Sequence, residues 1–290
     1  MVSNVIRDLC EMYHNEHQIV AEIYGHFYRK TQNGLIPISL RAPSLVGTVQ
    51  DDPFDCYIHE EIENAFPDLE VVSSGKLTTP DIVIRDRSSG IVVGLEVKKL
   101  IQSSSGSDSR GLTMDYNSCL PCGTTLIRVG NAVREIPCYY LFCLLTPDSG
   151  SILTLIMMHG DFINYDFNLH KEAKTANITE YGHGPYGEGS VRRRAMYTYP
   201  NPLNYKLSCF FKRKVLVLKI QDMERLGYHC HVTENVSRVD KFDNNFIYTI
   251  VDAGCVSQTP CHKLIFDVFA GCKERTPRKR NNASMPVLEE

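Results

Sequence analysis

Two acidic residues and a lysine stand at the ends of two short runs that predict a β-hairpin. Asp81 opens the first run of β-branched residues, and Glu96 and Lys98 close the second. The patch 86–90 between the runs is rich in Asp, Ser and Gly, which favour a turn. A packed hairpin prefers apolar or neutral residues at such strand ends, so these charges point to chemistry rather than to folding.

Centring the turn on Ser88-Ser89 predicts how the two strands pair. Asp81 then lies opposite Glu96, and Val83 lies opposite Gly94. Because side chains alternate across a strand, both acids share one face with the lysine, and Gly94 leaves room beside them. The other face must be buried, because it carries only apolar residues: Ile82, Ile84, Ile91, Val93, Leu95 and Val97.

The facing acids suggest a metal site. Opposed carboxylates on paired strands have Cβ atoms about 5 Å apart and repel one another. A divalent cation between them would turn this repulsion into binding, and Mg²⁺ prefers carboxylate oxygen. Two carboxylates, a metal and an ammonium group suit phosphodiester hydrolysis, because the metal activates a bound water and the ammonium stabilises developing charge.

The same residues carry a family resemblance. Pro80-Asp81 followed by Glu96-Val97-Lys98 resembles the signature of the PD-(D/E)xK nuclease superfamily, closely over residues 53–125 and loosely elsewhere. Type II restriction endonucleases are its best-known carriers. The resemblance implies that the two acids hold Mg²⁺ and that the lysine assists the attacking water. The alternative is a surface hairpin whose charged ends are simply solvated.

The resemblance also implies a fold, a substrate and an assembly. We expect an α/β protein with a restriction-endonuclease-like α/β/α core, a central mixed β-sheet and an additional β-rich C-terminal part. The substrate would be double-stranded DNA, cut to leave 5′-phosphates, by a homodimer with one active site per strand. A repair or modification-dependent nuclease of the same fold is an alternative, as is a non-catalytic nucleic-acid-binding protein.

A helix upstream of the hairpin is predicted to supply a further acid. Pro53 suits a helix N-terminus, and the apolar residues that follow have the spacing of a core-facing stripe. That stripe comprises Phe54, Ile58, Ile62, Ala65 and Phe66. Nucleases of this superfamily commonly carry an acid on such a helix, and Asp55 fits best, with Glu61 second. Either acid could equally be solvated, and Asp55 could simply complement the helix dipole.

Three segments are predicted to contact DNA. The first is a polar segment at 114–124, which follows a Ser/Gly-rich loop at 103–110. The second is a stretch at 181–202 that is rich in Gly, Tyr and Arg, and the third is the basic run 212–214. Arginine neutralises phosphate or pairs with guanine, and amides or hydroxyls reach phosphate and base edges. The candidate residues are Asn117, Ser118, Arg192, Arg193, Arg194, Lys212 and Arg213. Residue by residue, an exposed loop or a strand end in water is the alternative.

Apolar patterns along the rest of the chain predict one domain. The expected elements are a helical region at 4–29, a turn at 130–135, strands near 136–145, 151–158 and 207–220, an irregular segment at 161–167 and two or three strands within 227–267. We divide the domain into a catalytic core at about 53–160, a DNA-contacting and β-rich part at about 161–272, and a basic tail at 273–290, which we expect to be flexible.

Composition limits the function classes. A net charge of −3 does not indicate a globally basic nucleic-acid binder, although a cleft needs only a local basic lining. Eleven scattered cysteines favour reduced thiols and hence a cytosol, and the resemblance to restriction enzymes implies a bacterial or archaeal cell. No apolar run has membrane-spanning length. We expect no nucleotide cofactor, because the sequence contains no phosphate-binding loop of the Walker type.

A zinc site was weighed and set aside. Cys119-x-x-Cys122 offers half a zinc ligand set, but free cysteines explain it better.

Overall fold

The structure is a computed structural model. It describes residues 13–32, 53–73, 80–102, 112–114, 123–148, 150–164, 196–198, 210, 212–226, 230–239, 244–252 and 287–289. Within these ranges the chain is α/β, with one sheet of ten strands, a separate two-stranded sheet and few helices. The predicted fold class is confirmed at this level.

The helices are α1 (Glu16–Gln32), α2 (Pro53–Ala65), α3 (Asp161–Asn164) and α4 (Ile220–Met223), and a 3₁₀ turn follows at Glu224–Leu226. The strands are β1 (Leu69–Ser73), β2 (Ile82–Asp86), β3 (Val92–Ile101), β4 (Leu112–Met114), β5 (Thr124–Val129), β6 (Ala132–Leu145), β7 (Ile152–His159), β8 (Met196–Thr198), β9 (Lys214–Lys219), β10 (Val232–Val239), β11 (Asn245–Asp252) and β12 (Val287–Leu288). No helix in the described ranges combines the length and the apolar content that a bilayer crossing requires.

The large sheet is mixed and mostly antiparallel. Its main path runs β1-β2-β3-β6-β7-β9-β11-β10, with β5 paired to β6 and β12 paired to β5. The pairs β3–β6, β7–β9 and β5–β12 are parallel, and β4 pairs with β8 outside this sheet. The strand that carries Glu96 and Lys98 therefore lies inside the sheet, between β2 and β6.

Both long helices cover one face of this sheet. The stripe predicted for α2 is fully buried at Phe54, Ile58 and Ile62, and α2 begins at Pro53 as expected. The helix predicted within 4–29 is α1, which buries Ile19, Ile23 and Phe27. The apolar face of the hairpin packs into the same core: Ile82, Ile84, Val93, Leu95 and Val97 are buried, and Ile91 packs against them.

The predicted hairpin register is confirmed. Val83 pairs with Gly94 and Arg85 pairs with Val92. The turn is held by Asp86, whose buried carboxylate accepts hydrogen bonds from the hydroxyl and backbone N–H groups of Ser88 and Ser89. The chain leaves this turn with a φ of 73° at Gly90, a left-handed conformation that favours glycine.

Replacing Asp86 with alanine should lower the free energy of unfolding by about 1–3 kcal/mol, because the donors of Ser88 and Ser89 lose a charged hydrogen-bond acceptor. Burial raises the pKa of Asp86, but the four hydrogen bonds outweigh burial and lower it. The carboxylate therefore stabilises the fold above its ordinary pKa near 4, and this contribution disappears as the pH falls through the lower folded value. Urea unfolding at neutral pH and near pH 3 checks both statements, with exposed Asp68 replaced as the control.

At its turn end, the other face of the hairpin carries a second, smaller apolar cluster. Val83 packs there with Ile127 of β5, Ile136 of β6 and Leu288 of β12. This small cluster ends at Gly94, and the face continues beyond it with Asp81, Glu96 and Lys98. The acids and the lysine therefore lie at the border between a packed layer and a partly exposed surface.

Three sequence predictions need correction. The turn before β6 is only Gly130-Asn131, because β5 and β6 form a tight hairpin in which Val129 pairs with Ala132. The segment expected to be irregular begins with α3, one helical turn that follows β7 directly. Part of the tail that we expected to be flexible is a strand, because Val287–Leu288 pairs with β5 and buries Leu288. Two strands, β10 and β11, are described within 227–267, in line with the two or three predicted there.

Candidate active site

Asp81, Glu96 and Lys98 come together as the hairpin register predicts. The Lys98 ammonium donates a hydrogen bond to Oε1 of Glu96, and its Nζ lies 3.7 Å from Oδ2 of Asp81. One cation thus contacts both carboxylates. This contact is the central feature of the site, and a hairpin with separately solvated ends would not contain it.

Backbone groups fix the direction of both carboxylates. The Asp81 backbone N–H donates to Oε2 of Glu96 at 3.1 Å, and the Val97 N–H donates to Oδ2 of Asp81 at 2.7 Å. Each acid is therefore held by main chain of the neighbouring strand rather than by a mobile side chain. Such fixed orientation lets a site bind a cation or a substrate without first ordering its own groups.

The three groups differ in exposure, which defines the open side of the site. The Glu96 side chain is 2% exposed, whereas those of Lys98 and Asp81 are 18% and 23% exposed. Burial alone would lower the pKa of the Lys98 ammonium, but the carboxylates around it outweigh burial and raise that pKa above its usual range. Lys98 is therefore a cation at neutral pH, and it offsets the cost of burying Glu96.

The space beside Gly94 is not open. A Cβ atom at this position would lie 2.9 Å from Cγ of Pro80 and 3.0 Å from Cγ2 of Thr125. Protein atoms thus fill the room that the sequence suggested for a ligand. Glycine is needed here because the chain around Pro80 and β5 approaches the strand closely.

The two candidate acids of α2 have different surroundings. Glu61 points toward α1, where it lies 3.0 Å from His26 Nε2 and 3.0 Å from Lys30 Nζ. Burial would raise the pKa of Glu61, but these two partners outweigh it and lower the pKa. Asp55 instead helps to raise the pKa of the site lysine.

The start of α2 lies close to the site end of β3. The Lys99 ammonium is 5.6 Å from the centre of the Phe54 ring, which places the first turn of α2 beside the strand at that point. Asp55 follows Phe54 directly and is half-buried. Of the two acids, Asp55 is the one whose charge acts on Lys98, although α2 covers the opposite face of β3.

The acid pair has the donor set that Mg²⁺ accepts. Mg²⁺ usually takes one or two carboxylates from the protein and completes its shell with water and substrate phosphate. Oδ2 of Asp81 accepts the Val97 N–H, and Oε1 of Glu96 faces the ammonium. A cluster of three or more Asp, Glu, His or Cys side chains suited to a metal is not found among the described residues. Two carboxylates are within the number of protein ligands that Mg²⁺ takes.

Most of the predicted DNA contacts lie outside the described residues. These are Asn117, Ser118, Arg192, Arg193 and Arg194, and the cysteines of the weighed zinc motif, Cys119 and Cys122, also lie outside them. Lys212 is exposed, but Arg213 is only 6% exposed and lies 3.6 Å from Glu234. Arg213 thus has an internal ion pair instead of the exposed position that the sequence suggested.

A second polar group of residues was not anticipated from the sequence. We call it the Tyr139 cluster, and it comprises His17, Tyr139, His159, Asp161, Lys219 and Asp222. His17 joins the Tyr139 hydroxyl at 2.6 Å to Asp222 Oδ1 at 3.2 Å. Lys219 Nζ lies 3.0 Å from Asp161, which also accepts the Gly123 N–H at 2.6 Å.

The Tyr139 cluster ties α1 to the sheet. Its members come from different helices and strands, so no local motif marks them in the sequence. Tyr139 is fully buried and His17 nearly so, so these two members lie in the packed interior. We therefore interpret the cluster as a structural network, because its hydrogen bonds satisfy polar groups that would otherwise be buried without partners.

The cluster should make stability depend on pH through His159. Burial lowers the pKa of His159 to about 4, with Asp161 opposing and Lys219 adding to the effect. Between its ordinary value of about 6.5 and this lower value, the unfolded chain binds the extra proton, so stability falls as the pH drops. We expect the free energy of unfolding, measured with urea, to fall by about 3 kcal/mol over this pH interval. The fall should be smaller in His159→Gln and should keep its full size in the control His14→Gln.

Comparison with known proteins identifies no relative: no protein family, no characterised protein and no solved structure matches the chain. The resemblance to PD-(D/E)xK nucleases therefore rests on the signature residues and their geometry alone.

Proposed function

We propose that this protein is a Mg²⁺-dependent endonuclease of double-stranded DNA, of the PD-(D/E)xK superfamily and most similar to type II restriction enzymes. The observation that carries the proposal is the contact of one ammonium, that of Lys98, with both carboxylates of Asp81 and Glu96. A solvated hairpin end has no need of a Glu96 side chain that is only 2% exposed, or of backbone N–H groups that orient both carboxylates.

Each residue has a defined part in the proposed hydrolysis. Asp81 and Glu96 would hold Mg²⁺ with oxygens already oriented by backbone N–H groups. Bound Mg²⁺ would supply Lewis-acid polarisation of the phosphoryl oxygen and a water of lowered pKa. Lys98, a cation at neutral pH, would stabilise charge that develops on the phosphate or orient the attacking water. Asp55 would strengthen the negative potential that favours both cations.

We also propose that the protein has a restriction-endonuclease-like core and acts as a homodimer. A mixed sheet covered on one face by α1 and α2, with the acids on a central hairpin, supports the sheet and one helical layer of a restriction-endonuclease-like α/β/α core. A homodimer would suit a palindromic DNA site, because each protomer would then cut one strand.

The proposal is tested by digesting unmethylated genomic DNA with the purified chain in Mg²⁺ and sequencing the fragment ends. We expect fragments that share a short sequence and carry 5′-phosphates, and no cleavage when EDTA replaces Mg²⁺. Cleavage confined to methylated or branched DNA would instead indicate a modification-dependent or repair nuclease. Binding without cleavage of any DNA would overturn the proposal in favour of a nucleic-acid-binding protein.

The assignment of Asp55 yields a paired prediction. Asp55→Asn should slow Mg²⁺-dependent cleavage by about 10- to 100-fold, the usual effect of a residue that acts through a metal site's own groups. Glu61→Gln should lower stability by about 1 kcal/mol, because it weakens the contacts with His26 and Lys30, and should leave the rate unchanged. Single-turnover cleavage and thermal unfolding of both variants separate the roles, and the reverse pattern would assign the site acid to Glu61.

A further inference from the structure

The position of the Lys98 ammonium bears on how a metal enters the site. The ammonium hydrogen-bonds Oε1 of Glu96 and lies within ion-pair distance of Oδ2 of Asp81. A divalent cation held by both carboxylates needs the same space and the same oxygens. The lysine and the metal therefore cannot both keep these contacts.

We propose that Lys98 competes with the divalent cation for Asp81 and Glu96, so that metal binds only when the ammonium moves away. This inference rests on the proposed function, because it concerns the same site. Without metal, the lysine neutralises one of two facing negative charges and keeps the buried Glu96 paired. With metal bound, the displaced ammonium lies beside the cation, where a substrate phosphate would attract it.

The competition has an energetic consequence that can be measured without DNA. Mg²⁺ must break an ion pair in the normal protein, and it must also approach a site that already holds a positive charge. Removing the lysine charge removes both costs and leaves two negative groups unneutralised. Lys98→Met, which keeps the length of the side chain, should therefore bind Mg²⁺ at least about tenfold more tightly than the normal protein.

The experiment is calorimetric titration of Mg²⁺ into the DNA-free protein, together with the shift in Tm at saturating Mg²⁺. Lys98→Met should show the lower Kd and the larger rise in Tm. Lys98→Arg keeps the charge and should bind Mg²⁺ within about threefold of the normal protein. Lys99→Met, a substitution next to the site on the opposite face, should bind like the normal protein. Adding Glu96→Gln to Lys98→Met should abolish the gain.

The result that overturns the inference is Mg²⁺ binding by Lys98→Met that is no tighter than in the normal protein. If Lys98→Met is unfolded without metal, Mg²⁺ should fold it by replacing the lost charge, and a chain that stays unfolded at saturating Mg²⁺ also contradicts the inference. Cleavage by the normal protein with unchanged metal affinity in the variant would refute the competition alone. The expected order of affinities with no DNA cleavage would refute the nuclease alone.

Discussion

Glu96→Gln is expected to reduce the rate of Mg²⁺-dependent DNA cleavage by about 10³-fold or more. The substitution keeps the size of the side chain, and its amide oxygen can still accept the hydrogen bond from the Asp81 backbone. What it removes is the second anionic ligand, so the site offers Mg²⁺ one carboxylate instead of two. The rate is measured as single-turnover nicking of supercoiled plasmid, and the metal affinity of the variant by calorimetry.

The matched control for this change is Glu70→Gln. Glu70 lies on β1, two strands from Glu96 in the same sheet, and also pairs with a cation, since it accepts a 2.6 Å hydrogen bond from Nε of Arg85. Losing this ion pair should cost about 1 kcal/mol of stability or less, and the cleavage rate should not change. A similar loss of rate in both variants would mean that the effect of Glu96 is structural, and the metal assignment would then lose its support.

Lys98→Ala is expected to slow cleavage by about 10²- to 10³-fold, while Mg²⁺ binds more tightly, as in Lys98→Met. The cation that stabilises the phosphate charge is lost, but both carboxylates remain. This pair of effects distinguishes the role of Lys98 from that of the two acids, because substitution of either acid should weaken both metal binding and cleavage. The measurement is the single-turnover rate at saturating Mg²⁺, with a separate Mg²⁺ titration.

Lys99→Ala controls for the loss of a lysine at this strand end. Lys99 follows Lys98 directly, but its ammonium lies against Phe54 of α2. Removing it should cost some packing between β3 and α2 and leave the rate within about threefold, as expected for a cation that touches neither acid. Unchanged cleavage in Lys98→Ala would show that the assigned lysine is not needed for hydrolysis.

The hairpin could be predicted because its information is local. Strand alternation fixes which residues share a face, and the Asp-Arg-Ser-Ser-Gly turn fixes the register, so two rules give the positions of Asp81 and Glu96. The apolar stripe of α2 was equally predictable, because its residues recur about every four positions within one short segment.

The features that could not be predicted depend on contacts between residues that are far apart in the sequence. Asp55 and Glu61 look alike in sequence, and only the packing of α2 against His26 and Lys30 of α1 separates them. The burial of Arg213 depends on Glu234, which belongs to another strand. Leu288 joins the core through a parallel pair with β5, and no pattern near the end of the sequence predicts that pairing.

The most direct test of the site is the anomalous diffraction of crystals soaked in Mn²⁺, which substitutes for Mg²⁺ and scatters strongly. We predict one strong peak at coordination distance from a carboxylate oxygen of Asp81 and one of Glu96, with the Lys98 ammonium moved off both. Ordered crystals that bind Mn²⁺ elsewhere only, or that keep the lysine bridging the two acids at saturating Mn²⁺, would contradict the account.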